Sequence, residues 1–408
     1  MSEMKGRRLH FIAIGGAGMS GLALVCRDLG AKVSGSDRAE SSYMDRLRAA
    51  GIEPAVGHDA DQVPADAEVI VSTAIAEDNP ELARARERGQ TVLHRGELLA
   101  ELCAKRRLLA IAGTHGKTTT AAMCIHALRE TGADPSFFLG GELPGAGPGG
   151  AATNAGWGEG EWVVAEADES DASFLRLQPE VAVITNLELD HHSRWSSLAE
   201  LAESFAAFAS PASGLAIGAG VSLPAQEGRR TIRFALEPEE ADLVAHDITA
   251  EDGGSRFRAD GPDIDTKVSL GVPGRHNVAN ALAAIGGLAL TGADTKKIAA
   301  ALGDFGGVAR RLEPKGERNG ARIYDDYAHH PTEVAATLEA ARELGPRRLI
   351  AAFQPHLYSR TKALASELGA ALAAADEVAV LDVYPAREEP VGPLEGVDRK
   401  STRLNSSH

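Results

Sequence analysis

At 408 residues, 44% of them apolar, the chain is long enough for two or three domains with ordinary buried cores. Its 58 acidic side chains against 42 basic ones leave a formal charge of −16, which argues against a nucleic-acid or anionic-membrane partner but permits a local cationic pocket. The three cysteines, Cys26, Cys103 and Cys124, form no C-x-x-C pair, so they read as reduced, buried thiols of a cytoplasmic protein rather than as disulfides or a zinc set.

In chain order, Lys5 to Arg8 leads into the apolar run Leu9 to Ile14, which is too short before Gly15-Gly16 for a signal peptide and reads as a first strand. An amphipathic segment, Leu22 to Leu29, follows, and then strand-like runs at Lys32 to Ser36, Val69 to Ser72 and Thr91 to His94. Gly16-x-Gly18-x-x-Gly21 follows the first strand and Asp37 ends the second, which satisfies the dinucleotide fingerprint. Its physics is the close approach of a diphosphate to a helix N-terminus, a condition met by any nucleoside diphosphate as well as by NAD. The charged Lys105-Arg106-Arg107 marks a boundary, giving a first domain of residues 1–107.

The apolar run Leu108 to Ala112 opens into Gly113-Thr114-His115-Gly116-Lys117-Thr118-Thr119-Thr120 and then a helix-patterned stretch. Glycines let backbone N–H groups approach phosphate oxygens, Lys117 supplies a cation for the β/γ-phosphates, and Thr118 offers a hydroxyl to Mg²⁺. Position 111 is Ile, so only the shortened form of the G-x-x-x-x-G-K-[ST] pattern is present. Ala121, Cys124, Ile125 and Leu128 predict one buried stripe on the helix that follows. Gly140 to Gly160 is expected to be a mobile loop. Buried strands are expected at Trp162 to Ala165 and Val181 to Thr185, with acidic residues at their carboxyl ends, where open α/β sheets bind ligands. Of these acids Glu166, nearest a strand end, is the candidate to complete a Mg²⁺ site with Thr118, while His191 and His192 are adjacent, so at most one faces a site. Short alternating runs from Leu215 to Leu270 predict a small antiparallel patch, after which Val272-Pro273-Gly274 opens a helix over Asn277 to Leu290. That helix is too short and too polar to span a bilayer, and the second domain is taken as residues 108–309.

From Arg310-Arg311 onward the units are a strand at Ala321 to Tyr324, a helix after Pro331, a strand at Leu349 to Phe353, a helix over Lys362 to Ala374 and a strand at Val378 to Val383. Asp325 to Pro331 and Gln354 to Thr361 close two of these strands and carry many hydrogen-bonding side chains facing the other domains. The third domain, residues 310–397, reads as incomplete, with an atypical polar tail at 398–408. Alternation of strand and helix throughout predicts an α/β protein of three domains.

Taken together, Ile14 to Gly21, Val33 to Asp37, Gly113 to Thr120, Glu166 to Leu175, Pro273 to Asn277, Arg310-Arg311, Asp325 to Glu333 and Gln354 to Thr361 resemble the Mur ligases, in the family's order and over nearly the whole chain. The resemblance implies a Rossmann-like N-terminal domain, a central P-loop ATPase domain and a Rossmann-like C-terminal domain. It implies an ATP- and Mg²⁺-dependent ligase of peptidoglycan precursor synthesis, joining L-alanine to the lactoyl carboxylate of UDP-N-acetylmuramate through an acyl phosphate, with no nucleic-acid or membrane partner.

Carried over by position, Gly16, Ala17, Gly18, Met19, Ser20, Ser36, Asp37 and Ser72 would hold the UDP-sugar, and His356 would face the acceptor. Gly113, Thr114, His115, Gly116, Lys117, Thr118, Thr119, His276, Asn277, Asp326 and His329 would hold ATP. Thr118, Glu166 and His191 would meet Mg²⁺, and Lys117, His191, Arg311 and Arg360 would serve catalysis. Three positions depart from the family pattern: Ala13 in place of a common glycine, Leu312 in place of phenylalanine and Leu357 in place of arginine. No lysine lies between Asp190 and Thr266, so the carbamylated lysine of some relatives is not expected. The competing readings are a recycling ligase that attaches a preformed peptide, an NAD-dependent oxidoreductase, which leaves Gly113 to Thr120 unexplained, and a non-catalytic nucleotide-binding fragment.

Overall fold

The computed structural model describes residues 4–189, 195, 197–238, 241–251, 253–385 and 388. In the first domain the elements are β1 (Arg8–Ile12), α1 (Ala17–Asp28), β2 (Lys32–Asp37), α2 (Ser42–Ala49), β3 (Ala55–Val56), β4 (Glu68–Val71), α3 (Pro80–Glu87), β5 (Val92–His94) and α4 (Arg95–Cys103). All pairings are parallel, in the order β3-β2-β1-β4-β5. The order reverses beside β1, so the turn into α1 opens at the crevice where such sheets bind ligands. Local chemistry sets the helix starts: Ser41 accepts from the Met44 N–H, and Asn79 accepts from Glu81 and Leu82 ahead of Pro80.

The central domain continues with β6 (Arg107–Ala112), α5 (Lys117–Glu130), β7 (Ser136–Leu143), β8 (Thr153–Gly156), β9 (Trp162–Glu166), β10 (Val181–Ile184), α6 (Leu198–Ala209), β11 (Gly214–Gly218), β12 (Arg230–Ala235), β13 (Leu243–Glu251), β14 (Gly254–Gly261), β15 (Ile264–Leu270), α7 (Arg275–Thr291) and α8 (Thr295–Ala301). Its ten strands form one sheet, β15-β14-β13-β12-β11-β10-β6-β9-β7-β8, with β6 inside it. Three expectations need correction. Gly140 to Gly160 is not simply a loop, because β7 extends to Leu143 and β8 lies within it, paired antiparallel to β7. The stretch from Leu215 to Leu270 is antiparallel only over β13–β15, whereas β11 and β12 extend the parallel sheet. Strand β11 is buried at every residue, so it lacks the alternation that would have marked it. Helix α5 is buried from Thr118 to Ile125 rather than along one stripe, because the sheet, β7, α7 and α8 enclose it.

One apolar core runs from the first domain into the second: Phe11, Leu22, Cys26 and Leu98 share it with Ala110, Phe138, Ala155, Phe174 and Phe205. A Cβ on Gly21 would stand 2.9 Å from the Cβ of Ala155, so glycine lets α1 lie directly on β8. All three cysteines are buried and unpaired.

The third domain is smaller: β16 (Glu313–Arg318), β17 (Ala321–Asp325), α9 (Pro331–Glu343), β18 (Ile350–Phe353), α10 (Tyr358–Leu372) and β19 (Glu377–Val380). Strands β16 and β17 make an antiparallel hairpin, and β18 and β19 a separate parallel pair. Its core is Val334, Leu338, Phe353, Leu368 and Leu372, distinct from the core of the other two domains. The tail at 398–408 lies outside the described residues. Among the described residues no helix is long and apolar enough to cross a membrane.

The three departures from the family pattern share a backbone feature: Ala13, Leu312 and Leu357 all have positive φ, at 63°, 47° and 69°. Left-handed backbone costs an L-residue with a Cβ about 1–2 kcal/mol. Ala13→Gly is therefore expected to raise stability by roughly 0.5–1 kcal/mol, after the larger unfolded-state entropy of glycine is deducted. Urea unfolding checks this as a higher midpoint at unchanged slope.

Candidate active site

Strand β6 hands the chain to α5 through the turn 113–116. Gly116 sits at φ 80°, and a Cβ there would come within 2.3 Å of Asn280 Oδ1 on α7, so only glycine fits. The segment after β10 clamps the turn. His115 N–H donates to Asn186 Oδ1 at 2.8 Å, Thr185 Oγ1 donates to the His115 carbonyl at 2.6 Å, and Thr114 Oγ1 bonds both the carbonyl and the N–H of Glu188 at 2.9 Å. This clamp leaves the backbone N–H groups of Gly116 and the first residues of α5 for a ligand, with the positive end of a 14-residue helix behind them.

Lys117 Nζ donates to the carbonyls of Gly113 at 2.6 Å and Thr114 at 3.0 Å, and pairs with Glu169 at 3.0 Å. Burial works to lower the Lys117 pKa, but Glu169, Asp168 and Glu166 outweigh it and keep the ammonium charged. Burial pushes the Glu169 carboxyl up to about 7 against the pull of Lys117. Thr118 Oγ1 donates to Glu166 Oε1 at 3.0 Å, and Gly140 N–H donates to Glu166 Oε2 at 2.7 Å. A hydroxyl and a carboxylate side by side at a helix N-terminus are hard oxygen donors of the kind Mg²⁺ takes.

Beside this turn lies a cleft with about 990 Å³ of unfilled space, part of it open to solvent. Its walls come from the turn (His115, Gly116, Thr119), from α7 (His276, Asn277, Asn280) and from the third domain (Arg311, Asp326, Glu333). The Asp326 carboxylate is spent on backbone N–H groups of Leu312 at 2.6 Å and Ala328 at 2.7 Å, so it shapes the wall. Burial, with the Arg311 cation, lowers the His276 pKa to about 4 and leaves its ring neutral near pH 7. His115 sits between Glu188 at 3.3 Å and Glu333 at 3.4 Å; burial opposes its charge, yet the two carboxylates raise its pKa to about 9.

A second cleft, of about 750 Å³, joins the first domain to this center: Gly18, Gly21 and Arg95 face Gly140, Asn154, Glu166 and Asp168. Arg95 is fixed there by Asp171 at 2.8 Å and Asp168 at 3.3 Å. The Gly16–Gly21 segment thus opens into the same cleft as Glu166, which Thr118 bonds.

Comparison with known proteins matches this architecture segment by segment. Residues 8–107 match the model described as Mur ligase family, catalytic domain; residues 111–288 match the Mur ligase middle domain; residues 310–401 match the Mur ligase glutamate ligase domain. A UDP-N-acetylmuramate–L-alanine ligase of Streptomyces coelicolor is 47% identical over 397 residues, covering 94% of this chain and 84% of that protein. The chain belongs to the Mur ligase family. A Rubrobacter xylanophilus protein of the same name is 47% identical over 391 residues, 94% of this chain and 86% of its own. Among solved structures, the UDP-N-acetylmuramate-alanine ligase of Thermotoga maritima superposes with a TM-score of 0.81 at 31% identity, covering 92% of this chain and 85% of that one. A murein peptide ligase of Psychrobacter arcticus gives 0.73 at 27% identity, covering 92% and 84%.

In this Mur ligase His115, Gly116, Thr119, His276, Asn277, Arg311 and Asp326 line one cleft, whereas Gly113, Thr114, Lys117, Thr118 and His329 do not line it. His329 and His356, from loops whose strands do not pair, meet with ring centroids 6.2 Å apart. Arg360 is buried in α10. On the UDP side, Ser36 is fully buried against His58 at 2.9 Å and Asp37 accepts from Gly15 N–H at 2.9 Å, while Met19 and Ser20 are also buried, so these four support the turn from behind. Ala17 opens α1, and its carbonyl takes a bond from Asn154 of the central domain; Ser72 follows β4. His191 lies outside the described residues. Sequence reasoning missed Glu169, Glu188, Glu333 and Arg95. Glu169 stood within an acidic run and gave no separate signal, whereas Glu333 stands three residues after His330 in a capping box, the one available cue.

The His276 pKa has a consequence for stability. The unfolded chain binds a proton on this ring below about 6.5 and the folded chain only below about 4, so the ring's contribution is intact above pH 6.5 and lost as pH falls toward 4. His276→Asn is expected to flatten that acid limb, read as unfolding free energy against pH.

Proposed function

We propose that this Mur ligase joins L-alanine to the lactoyl carboxylate of UDP-N-acetylmuramate at the expense of ATP, in the cytoplasm, as a step of peptidoglycan precursor synthesis. The observation that carries this reading is 47% identity over 94% of the chain to a protein of that name, supported by a phosphate-loop segment whose His115, Gly116 and Thr119 line one cleft while Glu166, bonded to Thr118, lines the other.

The chain's own groups divide the work. The Gly16–Gly21 turn receives the diphosphate of the sugar nucleotide on α1 and aims its lactoyl carboxylate along the second cleft toward Glu166. The adenosine half of ATP occupies the larger cleft against His276, Asn277 and Asn280, with its phosphates on Gly116 and the first N–H groups of α5. Lys117 leaves the Gly113 and Thr114 carbonyls for the β/γ-phosphates, where its charge offsets that of the transferring phosphoryl group. Thr118 and Glu166 are the residues that would hold Mg²⁺, whose chemistry is charge neutralisation on the phosphate oxygens. Attack of the carboxylate on the γ-phosphorus breaks its bond to the β,γ-bridging oxygen and yields an acyl phosphate and ADP; the amine of L-alanine then attacks the acyl carbon and expels inorganic phosphate, losing a proton to leave the amide. Arg311 already lines the cleft, and in this reading closure of the third domain would bring His329, His356 and Arg360 toward it and exclude the water that would hydrolyse the acyl phosphate.

Phosphate release from ATP is expected only when UDP-N-acetylmuramate and an amine are both present, with L-alanine the preferred amine. Equal turnover with L-glutamate or with the peptide acceptor of a recycling ligase would refute the assignment. Lys117→Ala is expected to lower ligation by at least about 10³-fold, the scale on which phosphoryl-transfer cations act. Its UDP-N-acetylmuramate affinity by calorimetry should stay within about twofold of the parent, because the first domain's turn is a separate site.

A further inference from the structure

His115, Glu188 and His330 come from three separate segments: the phosphate-loop turn, the strand end after β10 and the cap of α9. One ligand atom from each lies within 4.8 Å of the other two. His115 Nε2 is 3.3 Å from Glu188 Oε2, and His330 Nδ1 is 3.9 Å from that same oxygen. Bonds of about 2.0–2.1 Å from a tetrahedral zinc ion place its ligand atoms roughly 3.3–3.5 Å apart, so the His115–Glu188 edge already fits and the other two edges, each within 4.8 Å, must close by side-chain rotation. The other nitrogen of His115 faces Glu333 Oε1 at 3.4 Å, the carboxylate–histidine relay that orients a zinc-bound imidazole. His330 is 7% exposed, which already removes most water from that ligand.

We propose that His115, Glu188 and His330 form a transition-metal site, of the zinc type, that ties the phosphate-loop turn to the third domain. Two imidazoles and one carboxylate suit Zn²⁺, Co²⁺ or Ni²⁺ and not Mg²⁺, which demands oxygen donors. The site is therefore distinct from the Thr118–Glu166 pair, and a micromolar transition metal can act on it in the presence of millimolar Mg²⁺. The hydrogen bonds that compete with it include Thr332 Oγ1 to Glu188 Oε2 at 2.8 Å and Thr332 N–H to His330 Nδ1 at a long 3.4 Å. An ion here pins α9 to the turn that must receive ATP, so Zn²⁺ slows turnover by resisting domain opening. That consequence rests on the ligase reading; the binding itself does not.

The experiment is metal retention by the full chain after dialysis against Zn²⁺ in Mg²⁺-containing buffer, read by mass spectrometry, with the visible spectrum of the Co²⁺-loaded chain as a second readout. The parent is expected to retain one equivalent of Zn²⁺ more than His330→Asn, a variant that keeps a side-chain cap on α9. Co²⁺ is expected to give intense tetrahedral d–d bands with the parent and not with the variant. Glu333→Gln, which leaves all three ligands in place, should weaken Zn²⁺ by about 10–100-fold. Equal Zn²⁺ content in parent and His330→Asn, no retention by either, or displacement by equimolar Mg²⁺ would each overturn the site. If His330→Asn loses its circular-dichroism signature of folding, the Glu333→Gln shift and the parent's Co²⁺ spectrum decide the matter.

Discussion

A charged ammonium held out of water is the constraint around which the center is arranged. Lys117 is 13% exposed at its side chain, and an ion so placed must be compensated by charge and hydrogen bonds or lose its proton. Glu169 supplies the charge and the carbonyls of Gly113 and Thr114 the hydrogen bonds, which bends the turn back on itself and leaves the first N–H groups of α5 facing the cleft. Trp195 Nε1 donates to the Glu169 carbonyl, so the backbone that carries the counter-ion is itself tied down. Burial has pushed the Glu169 carboxyl up to about 7, so when the ammonium turns to phosphate this carboxyl can take up a proton rather than remain a buried charge without its cation.

The three domains are joined by two different kinds of contact. The first and second share an apolar core, with α1 on β8, and such packing resists sliding because it is dense and non-directional. The third meets them through polar links: Thr332 to Glu188, Glu333 to His115, and the Gly274 N–H to Glu343 at 2.9 Å. Hydrogen bonds and ion pairs at a partly wetted interface exchange readily with water and contribute little net stability each. The Gly16–Gly21 turn and the phosphate loop are thus held by one core, while the domain bearing Arg311, His329 and Arg360 is attached by the more exchangeable contacts.

Most of the catalytic outline was legible because it depends on local chemistry. The Gly113–Thr119 segment and the acid at the end of β9 declare themselves within a few residues, by glycine spacing and strand-end position, whereas His276 and Asn277 were singled out only through the family resemblance. The buried strand β11 and the strand pair β7–β8 were not legible, since a fully buried strand loses its alternation and glycines that permit close packing look like loop residues. Gly156 shows why: a Cβ there would meet the ring of Phe137 at 2.8 Å, a reason for glycine that lies on the neighboring strand.

By itself the sequence determined the α/β class, the two glycine-rich turns and the family, because periodicity and motif spacing are properties of contiguous chain. Tertiary structure alone decided which acid serves which cation. The carboxylates of Glu169, Glu188 and Glu333 are chemically alike, and only folding placed Glu169 on Lys117 and Glu188 and Glu333 on either side of His115. The physical reason is that a carboxylate's role follows from its burial and the charge it meets, and both are set by segments that lie far apart in sequence.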